Sequence, residues 1–196
     1  MISVYYDTGV ILPLYIDEIF SETVIAFVET RHEPISFNLL QQMEMETAIR
    51  MKLFRGEIGD IIMRKIITCR DEDVRVGRLA FRPVNWILMM EDARRIGDLA
   101  TKQWGCRTLD LLHVAIALQW RCTMFVTADD RQIKAARSAG LETVDIRKLA
   151  EKNRQDNAGA SAPTSAVRER RSIYGKQADT PRLKRRGHKL DCYGKT

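Results

Sequence analysis

Residues 108–118 read Thr-Leu-Asp-Leu-Leu-His-Val-Ala-Ile-Ala-Leu, and residues 123–129 read Thr-Met-Phe-Val-Thr-Ala-Asp. Together they decide the fold. Thr108 can cap a helix from Leu109 to Trp120. That helix is apolar on nearly every face, which implies burial on all sides. The second stretch predicts a short strand, Thr123–Val126, with Asp129 just beyond its end. Outward from this pair the same alternation recurs. Ile2–Tyr6 predicts a strand ending at Asp7, and helical patterns follow through Arg31. Ile35–Phe37 predicts a strand, and Asn38 a cap for a helix to Phe54 that stops at Gly56. A helix over Ile58–Thr68, a strand within Arg78–Val84 and a helix over Leu88–Trp104, stopped by Gly105, come next. Arg131–Ala139 reads as a helix and Leu141–Val144 as a last strand. Strands alternating with helices imply a mostly parallel sheet with helices on both faces.

The 196 residues leave room for one domain and a tail, and a hydrophobic content of 45% places most of the chain in a globular class. The apolar stretch Gly9–Ile16 contains Pro13 and is too short to span a bilayer. It also lacks a basic leader and does not read as a signal peptide. Four cysteines, Cys69, Cys106, Cys122 and Cys192, form no C-x-x-C pair, which points to free thiols in a cytoplasmic protein. Charge is unevenly spread. Residues 151–196 hold 12 of the 32 basic and 5 of the 26 acidic residues, so residues 1–150 carry one more acid than base. Apolar periodicity also fades there, and the domain is expected to occupy residues 1–149 with a disordered basic tail over 150–196.

Acidic residues recur where a parallel sheet gathers ligands. Asp7 and Asp129 follow strands, and the carboxyl ends of parallel strands share one edge. Each alone reads as a helix N-cap; the pair reads as a cleft. Glu44 falls on a helical-wheel arc with Leu40, Met43, Thr47, Ala48, Met51 and Phe54, an arc expected to face the core, where a carboxylate needs a partner or a metal. Glu46 falls on the polar side, with Arg50 at i+4 as its ion-pair partner. Asp110 sits in the first turn of the buried helix, where the helix dipole favours it. His113, one turn on, reads as a satisfied core histidine. Four converging carboxylates would raise one another's pKa, and a hard divalent cation resolves the repulsion. All-oxygen ligands select magnesium, with manganese as substitute, and such a site suits phosphodiester hydrolysis.

These residues resemble the PIN-domain ribonucleases. Val4-Tyr5-Tyr6-Asp7-Thr8 resembles the family's opening x-x-D-T/S. Glu44 to Arg50 is similar to its E-x-x-x-A-L-R helix, Thr108 to Ala117 to x-x-D-x-x-H-x-A-x-A, Phe125 to Asp129 to f-v-T-x-D, and Ala136 to Leu141 to A-x-x-x-G-L. Order and spacing resemble the VapC branch, the toxins of type II toxin–antitoxin pairs, and Glu18 and Ser21 resemble that branch's Y-x-x-E-x-x-S start. Each motif alone is weak; all in order over about residues 1–147 are specific. The resemblance implies a three-layer α/β/α sandwich with a parallel sheet, Mg²⁺-dependent endoribonuclease activity leaving a 5′-phosphate and a 3′-hydroxyl, a homodimer and a cognate antitoxin. It implies Asp7, Glu44, Asp110 and Asp129 as catalytic metal ligands, with Thr8 and Thr127 in support. Many members of that family carry a further acid where this chain has Arg131; here either the adjacent Asp130 substitutes or the second metal position is weaker. Nothing in the family explains the tail, whose Arg168, Arg170, Arg171, Lys184, Arg185 and Arg186 read either as contacts to RNA phosphates or as part of a solvating tail with no further role.

Other classes fit less well. Asp7-Thr8-Gly9 is the triplet of aspartic proteases, but those need two such triplets in a β-rich fold. The Asp-x-Asp pattern of haloacid-dehalogenase-like phosphotransferases is missing. The remaining alternative is a PIN fold that binds RNA or a partner without cutting it.

Overall fold

A computed structural model describes residues 3–158. Three short strands, β1 (Val4–Tyr6), β4 (Met124–Thr127) and β5 (Glu142–Asp145), form a parallel sheet in the order β1-β4-β5. A second parallel pair joins β2 (Ile35–Phe37) to β3 (Leu79–Phe81). The helices are α1 (Thr8–Ile11), α2 (Ser21–Glu29), α3 (Leu39–Phe54), α4 (Asp60–Arg75), α5 (Trp86–Trp104), α6 (Thr108–Gln119), α7 (Asp130–Ser138) and α8 (Ile146–Ala158). The molecule is therefore α/β, with a small parallel sheet inside a largely helical frame. Among the described residues no helix is long and apolar enough to cross a membrane.

The sheet separates two apolar clusters because side chains alternate along a strand. Val4 and Tyr6 of β1 and Val126 of β4 enter one cluster with Ile35, Phe37, Met45 and Ile49. Tyr5 and Phe125 enter the other, with Met89 of α5 and the α6 run from Leu111 to Ala117. Tyr5 and Phe125 stack, with ring centroids 5.2 Å apart. This is where the all-round apolar α6 belongs, and residues 111–117 are buried without a break. The α5 helix stops where expected: Gly105 takes φ +65°, a left-handed conformation that closes the helix end.

Several boundaries differ from the sequence reading. The α4 helix runs seven residues past Thr68, to Arg75. Its extra turns are rich in charge but not solvated throughout: Arg70 is buried, and Asp73 receives Tyr15 Oη at 2.6 Å. Arg107 rather than Thr108 takes the N-cap position of α6. The tail does not begin at Ala150. Ile146 and Ala150 are buried, so α8 is anchored by its first turn and continues to Ala158 through the polar stretch that reads as tail. The six basic residues proposed for RNA contact, Arg168 to Arg186, lie outside the described residues.

The α3 helix is rotated away from its apolar arc. Its inner face is Gln41, Met45 and Ile49, not the arc containing Met43 and Phe54, which are 70% and 84% exposed. The reason lies at its start. Asn38 caps the helix by accepting Gln41 N–H at 3.1 Å, and the Gln41 amide donates to Tyr6 O at 2.7 Å at the end of β1. A buried polar bridge thus sets the rotation of the helix, overriding its apolar count.

Candidate functional site

The register Tyr6↔Val126 places the residue after β1 beside the end of β4. Asp7 is held there by its own N–H, which donates to Val126 O at 3.0 Å. It occupies the N-cap position of α1, yet its side chain makes no cap bond. The carboxylate instead faces a polar cluster. Asp7 Oδ1 accepts from Gln132 Nε2 at 3.3 Å and lies 3.5 Å from His113 Nε2, while Oδ2 lies 3.4 Å from Thr127 Oγ1. A Cβ on Gly9 would stand only 3.2 Å from Asp7 Oδ2, so the turn into α1 leaves little spare room on that side.

Glu44 reaches the same place from α3. Thr8 Oγ1 donates to Glu44 Oε2 at 2.6 Å, and His113 Nε2 lies 2.7 Å from the same oxygen. The residue singled out from sequence is at the site, but not because it lies on a core-facing arc: it flanks the true inner face one position before Met45. Glu46 differs from its expected role as well. It pairs with Arg50 as predicted, at 2.9 Å, and also with the buried Arg70, at 2.9 Å. It is a structural anchor between α3 and α4.

Asp129 is tied to Asp7 through intermediaries. Thr127 Oγ1 accepts Asp129 N–H at 3.0 Å and donates to Gln132 Oε1 at 2.7 Å, and Gln132 in turn donates to Asp7. Asp129 Oδ1 caps α7 by accepting Arg131 N–H at 2.7 Å. Asp110 Oδ2 accepts Arg107 N–H at 2.8 Å across the first turn of α6. Both carboxylates bear on one buried thiol: burial pushes Cys106 up, and the charges of Asp110 and Asp129 push it the same way. Asp130 is not with them. Its carboxylate lies 2.5 Å from Arg147 Nη2, and Arg147 also grips Asp145. Asp130 is thus paired with the guanidinium at the start of α8, and no contact joins it to the Asp7–Glu44 cluster. Glu18 pairs with Lys52 at 2.8 Å.

His113 is the residue that sequence reasoning undervalued. It is buried, as a core histidine should be, but both nitrogens are engaged: Nδ1 with Tyr5 Oη at 2.7 Å and Nε2 with Glu44. The available signal was its position, one turn after Asp110 on a buried helix. Electrostatics follow from this packing. Burial pushes the Asp7 carboxyl up; His113 opposes this and the Glu44 charge adds to it. Burial alone would raise Glu44 too, but the bonds from His113 and Thr8 outweigh it and hold Glu44 below the usual carboxylate range. Burial would depress His113, whereas Glu44, Asp7 and Asp110 raise it above its ordinary value.

Among the described residues, no three His, Cys, Asp or Glu side chains are arranged as a ready metal cage. The donor chemistry nevertheless fits a hard cation. The Asp7 and Glu44 carboxylates both lie within 3.5 Å of His113 Nε2, and Asp110 and Asp129 each engage backbone N–H groups through one oxygen only. No family model and no curated protein matches this chain.

Proposed function

We propose that the chain is a Mg²⁺- or Mn²⁺-dependent endoribonuclease of the PIN class, acting in the cytoplasm as the toxin of a type II toxin–antitoxin pair. One observation carries this reading: Asp7 and Glu44 meet through His113 and Thr8 at the carboxyl end of β1, and Thr127 and Gln132 tie Asp129 to the same carboxylate. The order of the acids along the chain matches the motif order of the PIN ribonucleases, and the reading entails their three-layer α/β/α sandwich. Asp7, Glu44, Asp110 and Asp129 would hold the metal. Once bound, it would supply a polarised water and charge neutralisation at the phosphate. Thr8 and His113 orient Glu44, while Thr127 and Gln132 orient Asp7. The substrate is RNA, and a cognate antitoxin would restrain the activity by entering the same acidic cleft. A homodimer is part of the proposal; Leu39, Met43 and Phe54, spaced along α3 and exposed, supply uncovered apolar surface for it.

The two neighbouring glutamates test the assignment. Glu44→Gln is expected to abolish metal-dependent RNA cleavage and the growth arrest caused by expressing the chain alone in bacteria. Glu46→Gln is expected to keep both, while losing about 1–2 kcal/mol of stability because Arg70 loses a charged acceptor. Loss of cleavage in Glu46→Gln with retention in Glu44→Gln would reverse the assignment.

The surplus of basic residues beyond residue 150 is proposed to attract RNA without sequence preference. A chain ending at Ala158, which keeps α8 whole, is expected to retain metal-dependent cleavage. It should bind RNA more weakly, with affinity falling less steeply as salt is added. Equal affinity and equal salt slope in the two chains would leave the tail without this role.

A further inference from the structure

We propose that Tyr5 and His113 are positioning residues that present Glu44 to a divalent cation. The geometry points to a chain of three side chains that runs from the core to the site. Tyr5 is 0% exposed, stacks on Phe125 and lies edge-on to His113. Its hydroxyl meets His113 Nδ1 at 2.7 Å, and His113 Nε2 meets Glu44 Oε2 at 2.7 Å. Tyr5 belongs to β1, His113 to α6 and Glu44 to α3, so three elements fix one carboxylate.

Each end of the chain has a physical role. The imidazole has two polar nitrogens, and the group at one sets the proton at the other. With Glu44 ionised, Nε2 carries a proton toward Oε2, and the Tyr5 hydroxyl is the partner that Nδ1 requires. The Tyr5 ring is packed between the stacked Phe125 and the tilted Trp120. The carboxylate is thereby divided. Thr8 and His113 both bond Oε2, and Oε1 takes part in neither bond. A carboxylate pinned by one oxygen offers the other in a fixed direction, whereas an unpinned Glu must lose rotamer freedom on binding. Any buried imidazole must satisfy its nitrogens; what singles out His113 is that one of its two partners is the carboxylate of Glu44.

This inference rests on the metal-dependent nuclease reading, and the test separates the two. Mn²⁺ binding to the full chain is measured by titration calorimetry, alongside circular dichroism and thermal melting, for wild type, Tyr5→Phe, His113→Leu and His113→Gln. His113→Leu is expected to weaken Mn²⁺ binding by about tenfold or more, in the range for lost support of a metal ligand. Tyr5→Phe is expected to weaken it several-fold while keeping the wild-type fold. His113→Gln, whose amide can donate near the Nε2 position, is expected to recover most of the affinity lost in His113→Leu. A purely structural role would give melting changes without that rescue. Wild-type affinity in folded Tyr5→Phe and His113→Gln together with unchanged or tighter binding in His113→Leu overturns the proposal. If His113→Leu does not fold, unchanged affinity in Tyr5→Phe overturns it alone. Absence of both Mn²⁺ binding and RNA cleavage in the wild type would instead overturn the nuclease reading on which it stands.

Discussion

Asp7→Asn is expected to reduce metal-dependent RNA cleavage by about 10³-fold or more, equivalent to roughly 4 kcal/mol of barrier, while leaving the fold intact. The substitution keeps shape and removes the charge that the proposed cation needs. Its effect on stability should have the opposite sign. Burial and the Glu44 charge raise the Asp7 carboxyl, and a group raised on folding favours the folded state when protonated and loses that contribution as pH rises through its folded value. At neutral pH the ionised Asp7 therefore works against folding, and a neutral amide does not. Without metal, the Asp7→Asn protein should melt at the wild-type temperature or a few degrees above it. Thermal melts at pH 7 with and without Mn²⁺ provide the check: the metal should raise the wild-type melting temperature and leave the variant unmoved. A strong loss of stability without metal would show that Asp7 is a structural acid.

The second large effect concerns the rotation of α3. Met45→Ala and Ile49→Ala should each cost about 2–5 kcal/mol, since both residues are 0% exposed and deletion leaves a cavity as well as lost burial. Met43→Ala and Phe54→Ala should change the unfolding free energy of the monomer by less than about 0.5 kcal/mol, as expected at exposed positions. Denaturant unfolding of the four variants at low protein concentration reads this directly. A costly Phe54→Ala beside a neutral Ile49→Ala would return the helix to the register that its apolar count implies. Sedimentation of Met43→Ala and Phe54→Ala then reports whether the exposed row carries the proposed homodimer.

The same helix shows what was legible in the sequence. The alternation of strands and helices, the Asn38 cap and the Gly105 stop are local signals, and local chemistry decides them. The strand ends that place Asp7 and Asp129 were equally readable. Glu44 was found for a reason that fails. A helical wheel weighs apolar residues, whereas α3 is oriented by the Gln41 amide on the Tyr6 carbonyl, a contact between residues 35 positions apart. The i+4 partner of Glu46 is visible in the sequence, whereas Arg70, 24 positions on, is not. His113 was placed in the core, which is where it lies, but burial alone does not reveal that its two nitrogens join Tyr5 to Glu44. Asp130 resembled a ligand by adjacency to Asp129. In the structure its carboxylate pairs with Arg147, 17 positions on. In each case the misread contact is long-range and polar, and linear periodicity carries no record of such a contact.

The activity proposed for this acidic cluster is RNA cleavage with a divalent cation bound. Its most direct test is RNA cleavage by the purified full chain as Mg²⁺ or Mn²⁺ is titrated from a chelated start. Cleavage should be absent in chelator, rise saturably with metal, and leave 5′-phosphate and 3′-hydroxyl ends. Cleavage that persists in chelator and is unaffected by Asp7→Asn, or a folded chain that cuts no RNA at any metal concentration, would contradict it.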